Sequence, residues 1–432
     1  MSTSETTALT KEPGSFRKYF TFRENLRGIF VREDERFAPV DGVRAITILN
    51  VVLFHCLFGF TKVYEELQVR QFIDNMPSYI DWVWQVRGSD CLFLVSGFLM
   101  GITLIREFQR TEQIQIMRFY RRRVMRIYPL FLVALAIFTL TDFERNVQFL
   151  WSNLLFLTNF SVEQRNIIPV GWSLAVQMQF YLIAPFIVIA VFKSQHRLLM
   201  FFLIFVLACA VRYLLVFTHP ELHDTPQYTF YLDTATSRLQ ADLLYYNLHS
   251  RFGPFALGMI VAYIGLNWKN QVLAFTERQP WVNIIGLLVG FGLMYWASYI
   301  AIHDPTDSYY EGLSELRNLN YIASNKNLFV AGFAVIVFFS VYASQRLNPV
   351  RWFMSRKFWF PITQMILPIY FFHFIFIVLA VVMMFGATNE ADIPVVTQWH
   401  LWGVFSMAVA MTFIFSILFH VFVEQPFIKM RG

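Results

Sequence analysis

The sequence is poor in charged residues. Only 15% of its 432 residues are Asp, Glu, Lys or Arg, whereas 56% are hydrophobic and 18% are aromatic. Soluble domains contain about 25% charged and about 45–50% apolar residues. A chain of this composition cannot cover its apolar surface with polar groups, so much of that surface must face lipid. The composition therefore excludes an ordinary water-soluble domain and predicts an integral membrane protein.

Cysteine is also scarce. The three cysteines, Cys56, Cys91 and Cys209, lie in apolar surroundings without C-x-x-C spacing. This distribution argues against a disulfide framework and against a thiolate metal site. His219 and His223 have a spacing that metal ligands can have, but no further ligand type converges on that loop. No metal cofactor is therefore predicted.

Several common motifs and one targeting signal are missing. There is no G-x-S-x-G elbow, P-loop or Rossmann fingerprint. The net charge is +6, but the basic residues form short runs between apolar segments, as membrane topology signals do, so nucleic acid is not predicted as a partner. The N-terminal segment has no apolar stretch of the kind found in signal peptides. The sequence predicts a polar cytoplasmic extension over residues 1–38 and one transmembrane domain over residues 39–428.

Apolar segments long enough to cross a bilayer occur ten times. A spanning helix needs about 20 largely apolar residues, so the sequence predicts an all-α bundle of about ten transmembrane helices. Residues 147–160 are apolar but too short to span, and we expect an interfacial or re-entrant helix there, on the outer side. The predicted spans are 42–60, 88–107, 124–140, 171–193, 197–217, 251–268, 281–302, 327–343, 360–386 and 400–423.

Basic and acidic residues alternate between the connections. Arg and Lys are concentrated before the first span and in every second connection, whereas the intervening loops are acidic or mixed. Short cytoplasmic loops are enriched in Lys and Arg, so this pattern places both termini in the cytoplasm. The sequence thus predicts a multi-pass protein whose main partner is the lipid bilayer.

Two ionisable residues lie within the first predicted span. Arg44 and His55 are eleven residues apart, which places them about 20° apart around the helix axis and about 16 Å apart along it. Ionisable groups inside a membrane helix are costly and often functional. We expect both to face one interior site, with Arg44 near the cytoplasmic mouth and His55 beyond mid-depth. A snorkelling arginine and a structural histidine are an equal alternative.

Asp90 begins the second predicted span at its outer end. The first two helices are antiparallel neighbours, so Asp90 could lie at the depth of His55. A carboxylate that accepts from one ring nitrogen would orient the other nitrogen as a general base. An aspartate at a helix start is also stabilised by the helix dipole alone, and the pattern leaves both interpretations open.

A basic run over residues 118–126 enters the membrane from the predicted cytoplasmic side. Within it, Arg123 and Arg126 share one helix face. Guanidinium groups bind phosphates bidentately, which indicates an anionic, phosphate-bearing ligand. A role in topology and in contact with lipid headgroups is the alternative.

Seven segments share the order and residue pattern of a known family. DGVRAITILNVVLFH contains Arg44 and His55, and GSDCLFLVSGFLM contains Asp90 and Ser96. The other segments are RFYRRRVMRIYPLF, VGWSLAVQMQFYLIAP, SRFGPFALGMIVAY, IYFFHF and FVEQPF. Together they resemble acyltransferase family 3, the integral-membrane O-acyltransferases, over nearly the whole chain.

The resemblance implies a function. It implies transfer of an acyl group, often acetyl, from a cytoplasmic acyl-CoA such as acetyl-CoA to a hydroxyl of a cell-envelope glycan or lipid-linked glycan. It also implies a location in the bacterial inner membrane. It further implies that Arg123 and Arg126 bind the CoA phosphates and that His55, Arg44 and Asp90 form the catalytic group. The residues implied in substrate binding are Ser96, Trp172, Gln177, Tyr181, Arg251 and His373.

Three points stay open. Gln177 stands where the family usually has Glu, so a proton-transfer role at this position would be lost, whereas a hydrogen-bonding role would survive. His55 can act as a general base on the acceptor hydroxyl or carry the acyl group itself, and we predict the base. The alternative function is a proton-coupled transporter or flippase of a lipid-linked sugar or organic anion, with His55 and Asp90 as a proton relay.

Overall fold

Ten long α-helices form the bundle in the part of the chain that the computed structural model describes, which is residues 20–32, 35, 38–63, 76, 88–160, 166–224, 234–299, 315–386 and 396–430. Within these residues, all except α6 are long and apolar enough to cross a membrane. The predicted all-α polytopic membrane protein is confirmed. The helices are α1 (Ala38–Val63), α2 (Gly88–Thr111), α3 (Ile116–Thr141), α4 (Gly171–Phe192), α5 (Arg197–Phe217), α6 (Leu248–Arg278), α7 (Trp281–Tyr299), α8 (Glu315–Tyr342), α9 (Ile366–Phe385) and α10 (Gln398–Phe419).

Helix α6 lies inside the bundle, which explains why it need not be apolar enough to cross a membrane by itself. It packs against α2, α5 and α8. A Cβ atom at Gly97 of α2 would lie 2.3 Å from the Phe255 carbonyl oxygen, and one at Gly258 of α6 would lie 2.1 Å from the Leu94 carbonyl oxygen. Small residues of this kind let membrane helices pack backbone against backbone. A helix surrounded by protein does not need a lipid-compatible surface.

Irregular backbone interrupts two of the predicted spans. The predicted span 360–386 consists of a short helix, Trp359–Gln364, followed by α9. Helix α10 continues into a π-helical turn, His420–Glu424. Non-helical backbone is tolerated at membrane depth where it is buried in protein or lines a cavity, and π-turns are frequent at functional sites. Both segments contribute to the cavity described below.

Residues 147–160 do not form a spanning helix. They form a 3-10 turn at Val147–Phe149, a short α-helix at Leu150–Leu154 and a second 3-10 turn at Thr158–Phe160. The Tyr128 hydroxyl of α3 donates to a carbonyl of the short α-helix at 2.7 Å. The predicted non-spanning segment is therefore more irregular than a single helix, and its place at the membrane surface stays a prediction.

A helix at Phe22–Phe30, which the sequence did not predict, packs against the end of the chain. Asn25 is 1% exposed and its side chain donates to the Val421 carbonyl at 3.0 Å. Glu24 and Lys429 form an ion pair at 3.4 Å. The first and last described helices thus lie at the same end of the bundle; which membrane face this is stays a prediction. We call it the basic end, after the arginines there: Arg32, Arg44, Arg123 and Arg126.

Candidate active site

A cavity of about 400 Å³ lies inside the bundle. Ser89, Ser96 and Thr103 of α2 line it, and their seven-residue spacing places them on one face of the helix. At about 1.5 Å per residue, the distance from the first to the third is about 21 Å along the axis. The cavity therefore follows α2 from the basic end over most of the depth of a bilayer core.

Three arginines line the cavity at the basic end, Arg44 from α1 and Arg123 and Arg126 from α3. The Arg123 guanidinium carbon lies 5.3 Å from the ring centroid of Phe119 and 5.7 Å from that of Tyr181. Arg44 and Arg126 are half-buried, and among the described residues neither has a hydrogen-bond or ion-pair partner. They also repel each other. Half-buried guanidinium groups in one cavity are suited to bind a phosphate-bearing ligand.

Glu424 places a carboxylate in the same part of the cavity. It is 3% exposed, and its Oε2 accepts a hydrogen bond from His420 Nδ1 at 2.8 Å. Gln425 Nε2 donates to His420 Nε2 at 3.0 Å, so the neutral imidazole carries its hydrogen on Nδ1. The carboxylate attracts Arg44 electrostatically. Three guanidinium groups and one carboxylate leave this end of the cavity with a net positive charge.

A hydrogen-bonded cluster joins α2 to α4 at the cavity wall. Gln177 Nε2 donates to Ser96 Oγ at 3.0 Å and also to the Tyr181 hydroxyl. Ser96 Oγ and the Tyr181 hydroxyl lie 3.1 Å apart. All three side chains line the cavity. The amide of Gln177 therefore has a hydrogen-bonding role, which is the role that the sequence left possible at a position where the family usually has Glu.

His55 is hydrogen-bonded to a second histidine. His55 Nδ1 and His373 Nε2 lie 2.9 Å apart, and His373 Nδ1 lies 3.0 Å from the Ile369 carbonyl oxygen. Because the carbonyl can only accept, the His373 hydrogen is on Nδ1 and its Nε2 accepts from His55. The hydrogen of a neutral His55 is then on Nδ1, and its Nε2 carries the lone pair. This tautomer suits a base.

The two ionisable residues of α1 do not share one chamber. Among the described residues, the lining of the cavity includes Arg44 but not His55. The wall near the histidines includes Tyr370, whose hydroxyl is hydrogen-bonded to Ser173 Oγ and whose ring centroid lies 6.1 Å from that of His373. His55 is partly exposed, whereas His373 is fully buried. The described cavity therefore does not extend to His55, and a site that both Arg44 and His55 face stays a prediction.

Asp90 does not orient His55, contrary to the prediction. Both of its carboxylate oxygens accept from Arg251 Nη1 at 2.6 Å, and both side chains are 1% exposed. The ring nitrogen of His55 that the prediction assigned to Asp90 is bonded to His373 instead. The reason is charge compensation: a guanidinium buried in a membrane bundle requires a carboxylate more strongly than a neutral imidazole does.

Aromatic rings enclose the Asp90–Arg251 pair. The Arg251 guanidinium carbon lies 4.4 Å from the ring centroid of Tyr245 and 5.8 Å from that of Trp172, and Arg251 Nε donates to the Tyr245 carbonyl. Burial raises the pKa of Tyr245 well above its usual range, so the phenol stays neutral and Asp90 provides the negative charge. Arg251, Trp172 and His373 were predicted to bind substrate. All three side chains are buried in the structure, and their role in substrate binding stays a prediction.

The predicted site residues fall into three groups. The cavity brings together Arg44, Ser96, Arg123, Arg126, Gln177 and Tyr181. Behind its walls lie the His55–His373 pair and the Asp90–Arg251 pair with Trp172. Sequence reasoning missed the cavity residues Glu424, Ser173 and Tyr370. A lone carboxylate directly after the last predicted span was an available signal for Glu424, whereas Ser173 and Tyr370 meet only through folding.

Comparison with known proteins bears directly on this site. A family model described as an acyltransferase domain matches residues 37–421. The chain belongs to acyltransferase family 3. The match includes all the predicted site residues and confirms the resemblance on which their roles rest, but it does not itself test those roles. No solved structure matches the chain significantly.

The acyltransferase has relatives that carry the name O-acetyltransferase OatA. The Staphylococcus aureus protein is 24% identical over 362 residues, which are 74% of this chain and 55% of the relative. The peptidoglycan O-acetyltransferase OatA of Listeria monocytogenes is 21% identical over 430 residues, 92% of this chain and 57% of the relative. The chain therefore spans little more than half the length of these relatives.

Proposed function

We propose that the chain transfers an acyl group, acetyl in the first instance, from acyl-CoA at the cytoplasmic side to a hydroxyl of a cell-envelope glycan, within a bacterial inner membrane. One observation carries the proposal: Arg44 and Arg126 line a cavity at the basic end and have no hydrogen-bond or ion-pair partner among the described residues. Such groups suit the phosphates of CoA. The names of the OatA relatives support the reaction type and the acceptor class, and family membership disfavours the transporter alternative.

His55 is the proposed general base. Its bond to His373 leaves the Nε2 lone pair available, and its partial exposure gives an acceptor access to the ring. In the transfer, the acceptor hydroxyl gives its proton to Nε2 while its oxygen bonds to the thioester carbonyl carbon. The carbon–sulfur bond breaks, and the proton passes to the departing thiolate.

We propose that the acyl group of the donor and the hydroxyl of the acceptor come together near Tyr370. Its side chain lines the cavity that would hold the donor, and its ring neighbours His373, which holds His55. A donor whose phosphates lie at Arg44 and Arg126 would extend its acyl group along α2 toward this wall. The acceptor would approach from the exposed side of His55.

Removal of the His55 imidazole tests the proposed chemistry. We expect His55→Ala to lower transfer of radiolabelled acetyl from acetyl-CoA to a cell-envelope glycan extract by roughly a hundredfold or more, because a positioned base contributes about 10²–10⁴-fold. The measurement uses purified protein in detergent, and calorimetric titration with CoA checks that donor binding is retained.

His219→Ala is the matched control, because the His219 ring, just after the end of α5, is bonded to the Leu215 carbonyl and lies outside the cavity. It should transfer acetyl at the rate of the unchanged protein. Full transfer by folded His55→Ala protein would overturn the catalytic assignment. Failure of the unchanged protein to bind or use any acyl-CoA would overturn the donor.

A further inference from the structure

The cluster of Ser96, Gln177 and Tyr181 contains more hydrogen-bonding groups than its internal hydrogen bonds use. The two amide hydrogens of Gln177 are used by Ser96 and by Tyr181. The Ser96 and Tyr181 hydroxyls are also bonded to each other, so one of their two hydrogens is used there. One hydroxyl hydrogen is left over. Gln177 Oε1 has no partner among the described residues and belongs to a half-buried side chain on the cavity wall.

This remainder, one donor and one acceptor side by side, complements a secondary amide. An amide carbonyl can accept from the remaining hydroxyl, while the amide N–H donates to Gln177 Oε1. A cluster that only joined α2 to α4 would be expected to satisfy its acceptor within the protein, as most buried polar groups do. The cluster therefore has the composition of a ligand-binding group.

The cluster lies next to the arginines that are proposed to bind the donor phosphates. The Arg123 guanidinium carbon lies 5.7 Å from the Tyr181 ring centroid, so the cluster directly adjoins the basic end of the cavity. Ser96 lies midway between Thr103 and Ser89 on the cavity face of α2. A ligand with phosphates at Arg126 that continues along α2 passes the cluster next.

We propose that Ser96, Gln177 and Tyr181 bind an amide group in the arm of the donor, and that this site selects an acyl thioester carried on an amide-containing arm of the pantetheine type. The inference rests on the proposed function, since it concerns the same donor. It adds a recognition site for the arm, separate from the site for the phosphates, and it assigns that recognition to three side chains of this chain.

The test compares two ligands that differ in the arm. CoA has phosphates and an amide-containing arm, whereas adenosine 3′,5′-bisphosphate has phosphates and no arm. We expect Gln177→Met, which keeps the side-chain length but removes both polar atoms, to weaken CoA binding about tenfold, as expected for hydrogen bonds lost in a cavity. Binding of adenosine 3′,5′-bisphosphate should not change. Calorimetric titration of the full chain in detergent measures both.

Two further variants distinguish the possible causes of a lower CoA affinity, which are loss of the amide contact, loss of phosphate binding and general destabilisation. Arg126→Gln should weaken both ligands, because both carry phosphates. Thr139→Val removes a buried hydroxyl that is bonded to the Leu135 carbonyl within α3, outside the cavity, and should change neither affinity. Thermal unfolding without ligand checks that each variant is folded.

The outcomes distinguish this inference from the function on which it rests. If the unchanged protein binds CoA and folded Gln177→Met binds it equally well, or loses both ligands to the same extent, the amide site is overturned and the proposed donor stands. If the unchanged protein binds neither ligand, the proposed donor itself is overturned. Selective loss of CoA affinity supports the amide site.

Discussion

At the scale of single residues, His373 determines which nitrogen His55 presents to a substrate. Its Nδ1 hydrogen is committed to the Ile369 carbonyl, so its Nε2 can only accept. Groups that orient a reactive histidine in this way fix its tautomer and its ring position. The arrangement places His373, which is 0% exposed, in a positioning role behind His55.

Replacement of His373 by Leu removes the side-chain acceptor for the His55 hydrogen and leaves the Val51 carbonyl as the remaining acceptor, so the ring is held less firmly. We expect kcat for acetyl transfer to fall roughly tenfold to a hundredfold, the usual range for loss of a group that orients a reactive side chain. The affinity for CoA should stay the same, because His373 does not line the cavity. Steady-state kinetics and a CoA titration measure the two quantities. A parallel loss of CoA affinity would contradict the positioning role.

The buried pair of Asp90 and Arg251 is the second feature at residue scale. Removal of one partner from such a pair leaves an uncompensated charge, which destabilises by about 3–5 kcal/mol, whereas replacing both with apolar residues can be neutral. We expect Asp90→Asn to lower the thermal unfolding temperature strongly in detergent. The double variant Asp90→Leu, Arg251→Met should recover most of the loss. A double variant less stable than Asp90→Asn would show that the pair contributes more than charge compensation.

At the scale of helices, the contact between α2 and α6 holds the cavity in place. The cavity face of α2 carries Ser89, Ser96 and Thr103, while Gly97 packs directly on the α6 backbone. Backbone-to-backbone packing of this kind tolerates no added atoms, since a carbonyl cannot move away as the end of a side chain can. The position of α6 therefore sets the position of the polar face of α2.

Substitution of Gly258 tests this contact. Its Cβ would lie 2.1 Å from the Leu94 carbonyl oxygen, whereas nothing lies within 4 Å of a Cβ at Gly59 of α1. We expect Gly258→Ala to destabilise the protein by about 1–3 kcal/mol through overpacking. Gly59→Ala should be neutral or slightly stabilising, because Ala is the better helix former. Thermal unfolding in detergent compares the two, and equal shifts would contradict the close approach of α2 and α6.

At the scale of the whole molecule, the first and last described helices lie at the basic end together with the arginines that line the cavity. The helix Phe22–Phe30 packs on the π-helical turn His420–Glu424 through Asn25 and Val421. The ten spans that the sequence predicts would place both ends on one side of a membrane, and the positive-inside rule predicts that this side is the cytoplasm. Acyl-CoA from the cytoplasm would then meet directly the arginines that are proposed to bind its phosphates.

Single cysteines at exposed positions test this orientation. In a background without the three native cysteines, Arg118→Cys at the start of α3 should resist a membrane-impermeant thiol reagent in intact cells, because the start of α3 is predicted to be cytoplasmic. Glu144→Cys, just beyond the other end of α3, should be labelled. Both residues are exposed. Permeabilised cells, in which both must react, provide the control, and the reverse pattern would contradict the predicted sidedness.

The sequence by itself determined the membrane class, the approximate number and order of the long helices and the family. These properties are local, since apolar length, loop charge and motif order are read one segment at a time. It also indicated six residues that do line the cavity. Arg44, Ser96 and Gln177 were accessible because polar residues inside a span stand out against their neighbours.

Only the tertiary structure decided which polar groups meet. Asp90 pairs with Arg251, 161 residues later, and His55 with His373, 318 residues later. Such pairings depend on the rotation and depth of each helix against its neighbours, and these follow from packing contacts such as Gly97 on α6 rather than from any single segment. For that reason the sequence placed a histidine and a carboxylate at similar depth but could not tell that each already had another partner.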